Sequence, residues 1–444
     1  MIKASDMKRR LAKWAGKESY SGLMASFLKW VVLGALIGIL TGSASALFLK
    51  GLDAVTAYRM DQPWLLYLLP LGGALVSFLY MRYGKNSGRG NNLILEQVRG
   101  GQETIPLRMA PLVLFGTLVT HLLGGSAGRE GTAVQMGGSL AEGVGRLIRI
   151  DAEDRKLLLM CGISGGFGSV FGTPLAGTIF GLEVIAIGMI SHRSLVPCFT
   201  ASFVGNLTAT YVLKVGHLHY DMGQVPGLSG LILLKVCFAA ILFGLTARLF
   251  SELCHAFKKA FTRLFPNPVL KTAAGGVAVI VLVFVAGTRD YLGLGIPLIQ
   301  DSFEEGGVSP FAFLWKLLFT SVTLGAGFQG GEVTPLFAIG AALGSSLATL
   351  LHMYGPFLPA LGFIAVFCGA ANTPLACFIM GIELFGSEGA VYLMIVCIIS
   401  YIFSGHTGIY SSQQIGIPKG SMLLMPGESY TLEEWKQRKR SKQD

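Results

Sequence analysis

Long apolar runs alternate with short polar breaks along the whole chain. The runs lie near 30–49, 63–81, 111–125, 157–189, 195–214, 229–250, 269–287, 311–327, 333–351, 357–371, 373–385 and 389–404. A hydrocarbon core of about 30 Å takes about 20 helical residues, so the longer runs predict spanning helices. The others are short and interrupted by Gly or Pro. Polar breaks fall at 82–110, 215–228, 251–268 and 288–310. The run from Trp30 to Leu49 is too long for a signal peptide and lacks a clear cleavage site, so it reads as a first spanning helix. The pattern predicts an all-α, polytopic membrane protein. Its parts are a basic segment 1–26, a first transmembrane half 27–250, a basic linker 251–268 with Lys258, Lys259 and Arg263, a second half 269–415 and a tail 416–444.

The division into halves rests on repetition. GTPLAGTIFGLEV at 172–184 and NTPLACFIMGIEL at 372–384 agree at seven of thirteen positions, Thr, Pro and Glu among them. Gly128-x-Glu130-x-Thr132 likewise matches Gly330-x-Glu332-x-Thr334. Chance similarity of apolar segments would not preserve two motifs in the same order and spacing. Repeated halves with broken helices are the pattern of transporters whose site lies between the halves near the midplane. Irregular backbone there requires protein or a water-filled cavity around it. The expected site is therefore 88–92, 124–135 and 325–336. Residue matches do not say whether the repeats run parallel or inverted.

Composition agrees. Only 14% of the residues are charged and 52% are hydrophobic, whereas soluble domains carry about 25% charge. The 60 glycines among 444 residues are about twice the usual share and suit closely packed membrane helices. These figures exclude a soluble enzyme, a disordered chain, a disulfide scaffold and a nucleic-acid binder. The net charge of +10 gathers at the ends, in Lys3, Lys8, Arg9, Arg10, Lys13 and Lys17 and in Lys436, Arg438, Lys439, Arg440 and Lys442. Residues 333–404 contain no Lys or Arg. Basic flanks predict cytoplasmic termini in a multi-pass protein of the cell membrane, in contact with the anionic lipid of the bilayer. Seven scattered cysteines and seven scattered histidines form neither a disulfide framework nor a metal site, and no cofactor is expected.

The candidate chemistry lies at the glycine-rich breaks. In GGSAGREGTAVQMGG, 124–138, a helix starting after Gly128 would aim its free N–H groups and dipole at whatever lies beside Arg129 and Glu130, a geometry that binds anions. The Glu130 carboxylate could occupy that anion position and leave it on protonation. The bland alternative is an Arg129–Glu130 pair that steadies a helix start. In GAGFQGGEVTPLFAIG, 325–340, Glu332, Val333 and Thr334 begin a second cradle. Thr334 reads equally well as a hydroxyl donor to an anion and as an N-cap. GRGNNLILEQV, 88–98, looks like a third helix start, with Asn91 and Asn92 as caps or amide donors. Glu183 and Glu383 suggest matched roles at helix ends. Tyr410 could reach a midplane site or anchor at the interface.

Together these motifs resemble the CLC family of chloride channels and proton-coupled anion antiporters. G-R-E-G-T-A-V-Q at 128–135 is similar to the family's G-R-E-G-P-x-V-Q. G-G-E-V-T-P at 330–335 takes the place of its G-x-F-x-P, and the TPLAG segment and Tyr410 follow in the family's order. The resemblance spans about residues 30–415 and implies an antiparallel two-half fold and a homodimer with one pore per subunit. It implies that Glu130 is the gating glutamate and proton carrier. It further implies that the backbone amides of Glu332 and Val333 hold the central anion and that Tyr410 is the central tyrosine; Gly128 and Arg129, at the helix start of the first half, are expected beside the anion as well. Thr132 departs from the family's proline. Aligning Gly90-Asn91-Asn92 with the family's G-S-G puts Asn91 at the serine position; without a gap Arg89 stands there. Val184 occupies the position of the internal proton-transfer glutamate. G-N-N-L-I, G-R-E-G-T and E-V-T-P resemble the branch that exchanges fluoride for protons. The function implied is fluoride/proton antiport, with a chloride/proton antiporter or passive chloride channel as the alternative. Gly162-Ile163-Ser164-Gly165 could instead be the nucleophile turn of an intramembrane serine protease, but no histidine has a matching context. A membrane scaffold would not need paired G-x-E-x-T breaks.

Overall fold

Each apolar run becomes a helix wherever its backbone can close its own hydrogen bonds, the condition for chain inside a bilayer. The computed structural model describes residues 20–217, 219–304, 306–420 and 430–441. The first half holds α1 (Tyr20–Asp61), α2 (Leu69–Leu79), α3 (Asn91–Val98), α4 (Met109–Leu122), α5 (Glu130–Leu147), α6 (Ala152–Phe171), α7 (Pro174–Glu183) and α8 (Leu195–Leu207). Next, α9 (Gly230–Leu264) runs through the end of the first half and into the linker, and the second half holds α10 (Pro268–Ala286), α11 (Ile296–Phe303), α12 (Ala312–Gly325), α13 (Val333–Leu350), α14 (Phe357–Ala371), α15 (Pro374–Phe385) and α16 (Ala390–Phe403). Among the described residues, six helices are long and apolar enough to cross a membrane. On α1, α9 and α10 the outward faces carry exposed Val32, Ile39, Leu234, Phe238, Val281 and Phe284, as lipid contact requires. By contrast α13 and α14 are buried nearly throughout, so they form the middle of the body. Most of the basic segment 1–26 lies outside the described residues, as do positions 421–429 and 442–444 of the tail.

Two runs divide differently from the apolar pattern. The run 157–189 is two helices, because Gly172 adopts a left-handed conformation at φ 76° and Thr173-Pro174 restarts the chain as α7. The polar break 251–268 is helical through Leu264 as the end of α9. Only residues 265–267 separate it from α10, whose N-cap Asn267 accepts the amide of Val269 at 2.9 Å.

The repeats are inverted, and two pairs of carboxylates show it. Glu383, near the end of α15, accepts the amides of Leu175 and Ala176 at the start of α7, at 2.9 and 2.8 Å. Glu183, at the end of α7, accepts those of Leu375 and Ala376 at the start of α15, at 3.1 and 2.8 Å. Each half thus caps the other, and reciprocal end-to-start capping requires antiparallel helices. The α5–α6 and α13–α14 pairs repeat a second device. A Cβ on Gly137 would strike the Gly162 carbonyl, and one on Gly340 the Gly362 carbonyl, so both crossings depend on glycine for backbone contact. A small sheet ties the chain's end to the body: β1 (Ala186–Ile187) pairs in parallel with β2 (Gln414–Ile415), which pairs antiparallel with β3 (Tyr430–Thr431) ahead of α17 (Leu432–Ser441).

Candidate functional site

The two G-x-E breaks meet directly. Gly128 and Gly331 exchange backbone hydrogen bonds of 2.6 and 2.7 Å, which brings the first turns of α5 and α13 together from opposite halves. Glu130 is the first residue of α5, yet its side chain reaches the start of α13. Oε2 accepts the backbone N–H of Thr334 and of Arg129, each at 3.1 Å. Oε1 accepts the Thr334 hydroxyl and lies 3.5 Å from Arg129 Nε. Glu130 is 0% exposed. A carboxylate therefore fills an anion cradle built from a helix N-terminus, a hydroxyl and a guanidinium. The N-cap of α13 is Glu332, without a side-chain cap bond. Thr334 lies inside the helix, which leaves its hydroxyl for Glu130, and Val333 is buried as the first helical residue.

Glu130 lines neither of two cavities, while its neighbours line both. One cavity, of about 30 Å³, is bordered by Arg129, Thr334 and Phe337. The other, of about 450 Å³, is bordered by Asn91, Glu332 and Tyr410. Asn91, Glu332, Thr334 and Tyr410, widely separated in sequence, are thus assembled around Glu130. Asn91 and Asn92 do not cap α3; its N-cap is Gly90 at φ 58°, and the asparagines are its first two residues. Asn91 Nδ2 faces Gly131, close to where a Cβ would stand, and its Oδ1 is buried without a partner. Arg89 is exposed in the wall of the wide cavity and pairs with Glu96 and, at 3.0 Å, with Glu103, while Asn91 lies against Gly131 beside Glu130. Of the two residues open to alignment with the family's serine, only Asn91 therefore reaches the centre.

Several supporting groups carry no motif. Asn92 Oδ1 accepts the amide of Ser412 at 3.0 Å, the Ser412 hydroxyl donates to Glu96 at 2.7 Å, and Arg99 donates to the Ser412 carbonyl at 2.6 Å. These bonds fix the loop that carries Tyr410, a buried residue whose ring meets Phe180 edge-on at 6.4 Å. Lys316, wholly buried in α12, donates to Ser126 Oγ at 3.0 Å and to the carbonyls of Tyr291 and Gly293 at 3.1 and 2.8 Å. It holds the loop leading to Glu130 against the loop before α11. Thr132 shares a 2.7 Å hydrogen bond with Thr117 of α4. Ser164 lies inside α6 beside Gly181, so it sits on no strand-to-helix turn.

Helix starts from two inverted halves, converging on a buried carboxylate between a wide cavity and a narrow one, define a membrane anion-pathway protein. A family model described as voltage gated chloride channel matches residues 72–405; the chain belongs to this CLC family and is a CLC-family anion transporter, a multi-pass membrane protein. It is 47% identical over 403 residues to a chloride/fluoride channel protein of Pseudomonas syringae pv. tomato, covering 89% of both chains. An H(+)/Cl(-) exchange transporter of Cronobacter sakazakii is 27% identical, over 82% of this chain and 84% of its own. Among solved structures, a CLC-type fluoride/proton antiporter superposes with a TM-score of 0.85 at 36% identity, over 89% of this chain and 99% of that one. A slow cyanobacterial Cl-/H+ antiporter, at TM-score 0.73 and 21% identity over 84% and 94%, shares the fold.

Proposed function

We propose that the protein exports fluoride in exchange for protons, with Glu130 serving as gate and proton carrier. The observation that carries this reading is the Glu130 carboxylate in the grip of Thr334 and Arg129. The same donors cannot hold a carboxylate and an anion at once. A charged carboxylate expelled into a buried site is costly, so Glu130 leaves the cradle as the neutral acid while an anion takes its place. The anion and the proton then act on one carboxyl position, which couples their movements. Arg129 and Gly128 fix the cradle on the side of the first half. The amides of Val333 and Thr334 and the Thr334 hydroxyl supply it from the second. Fluoride is small, strongly hydrated and a strong acceptor, so several short donors must replace its water. Asn91 and Tyr410 offer such donors in the wall of the wide cavity, and Thr334 in that of the narrow one.

The basic flanks favour cytoplasmic chain ends, and Ser411, in the wall of the wide cavity and next to the C-terminal strands, supports an opening of that cavity on the same face. An inward proton gradient then drives fluoride outward. Val184 is buried and gives its carbonyl to Gln413 at 3.1 Å, so no carboxyl stands there. Glu332, which borders the cavity, is the carboxyl available to receive the proton inside. The missing waypoint favours the second reading, a passive channel for fluoride or chloride. Efflux from proteoliposomes loaded with either halide tests the substrate. Fluoride leaving at least tenfold faster than chloride supports the reading, and chloride efflux without fluoride efflux overturns it.

A further inference from the structure

Two lysines at the mouth of the wide cavity are left unexplained by the gate. Lys258, in the last two turns of α9, and Lys271, in the first turn of α10, both line it. Lys271 Nζ lies beside Gly327, in the break that leads to Glu332. Lys258 is within electrostatic reach of both Lys271 and Glu332. Among the described residues neither lysine lies within ion-pair distance of a carboxylate. Arg89, on the same wall, is neutralised by Glu96 and Glu103. His255 is engaged with the Gly408 carbonyl at 3.1 Å.

This arrangement meets a specific electrostatic need. An anion that enters the cavity approaches Glu332 and, behind it, Glu130, two groups of its own sign. Without compensation the cavity would repel the ion it must admit. We propose that Lys258 and Lys271 form a recruitment site for a hydrated monovalent anion, which it draws from water into the 450 Å³ cavity and releases toward Asn91 and Tyr410. Lysine suits the task. Its ammonium is a strongly hydrated point charge on a flexible stem, so it attracts the ion without stripping its water. Entry must be favourable, but departure must stay fast. The volume accommodates an ion with its water shell, whereas the narrow cavity beyond Glu130 holds about 30 Å³.

The inference rests on fluoride as the transported ion and is tested so that the two can fail separately. Initial fluoride efflux is measured from proteoliposomes as a function of internal fluoride, at low ionic strength and again with impermeant salt added. The expected result for Lys258→Gln/Lys271→Gln is a half-saturating fluoride concentration about tenfold higher, within the range of charge-focused capture, with the maximal rate nearly unchanged. Added salt should shrink the difference, since screening acts over about 10 Å at 0.1 M. Lys258→Arg/Lys271→Arg should behave as the wild type, which also reports folding. Lys259→Gln, whose side chain is exposed and outside the cavity, should have no effect. An unchanged concentration dependence in the double Gln variant, an equal effect from Lys259→Gln, or an effect that persists in high salt would overturn the site. Absence of fluoride efflux from the wild type would remove the underlying reading instead.

Discussion

A hydroxyl on the second residue of α13 gives Glu130 Oε1 a donor that backbone amides alone do not supply. Hydrogen bonds to charged groups contribute about 1.5–3 kcal/mol. Thr334→Val keeps the shape and removes the donor. It should raise the half-saturating fluoride concentration about tenfold or more while the protein still folds, as read from efflux and from melting in detergent. Tyr410 and Thr334 were recognisable from their motifs. Thr334's role was not, because a Ser or Thr near a helix start reads equally as a cap, and only the position of Glu332 as N-cap frees it for Glu130. Lys316 is a lone cation in an apolar run, and the sequence holds no hint of its three acceptors, which come from loops 23 to 190 residues away.

The starts of α7 and α15 need partners for their free N–H groups. Glu183 and Glu383 provide them across the two-fold relation. Removing either leaves two helix-start amides unpaired, one of them on a buried alanine, Ala376 or Ala176, so Glu183→Ala or Glu383→Ala should cost about 1–3 kcal/mol and lower the melting temperature in detergent. An unchanged melting curve for both would contradict the capping role. Outside the membrane the start of α6 is capped by Asp151, which accepts the amide of Asp154 at 2.9 Å. That hydrogen bond holds the Asp151 carboxyl below its ordinary value of 3.8. The cap is therefore intact above that ordinary value and is lost as pH falls through the lower folded one. Asp151→Ala should weaken the first turn of α6 by about 0.5–1 kcal/mol at neutral pH, seen as faster amide exchange, and make no difference in strong acid. At this scale the repeated segments were legible from period and identity, but their direction was not. Matching letters carry no orientation; the carboxylate-to-amide bonds do.

Across the whole molecule, charge is placed by task. Residues 333–404 lack Lys and Arg, so the second half offers the anion amides and a hydroxyl, with Arg129 contributed by the first. Cations return at the cavity mouth, in the junction between the halves. That junction looked like a linker because its polar residues interrupt the apolar pattern. In the structure most of it continues α9, and its Lys258 reaches the wall of the wide cavity, where Lys271 of α10 joins it. The central claim is that one carboxyl carries the proton and yields its place to the anion. It is tested most directly by recording fluoride and protons together in proteoliposomes with an outward fluoride gradient, for the wild type and for Glu130→Gln. Proton uptake against an opposing proton gradient is expected in the wild type and none in Glu130→Gln. Proton uptake that survives in Glu130→Gln, or wild-type fluoride efflux with no proton movement, would contradict it.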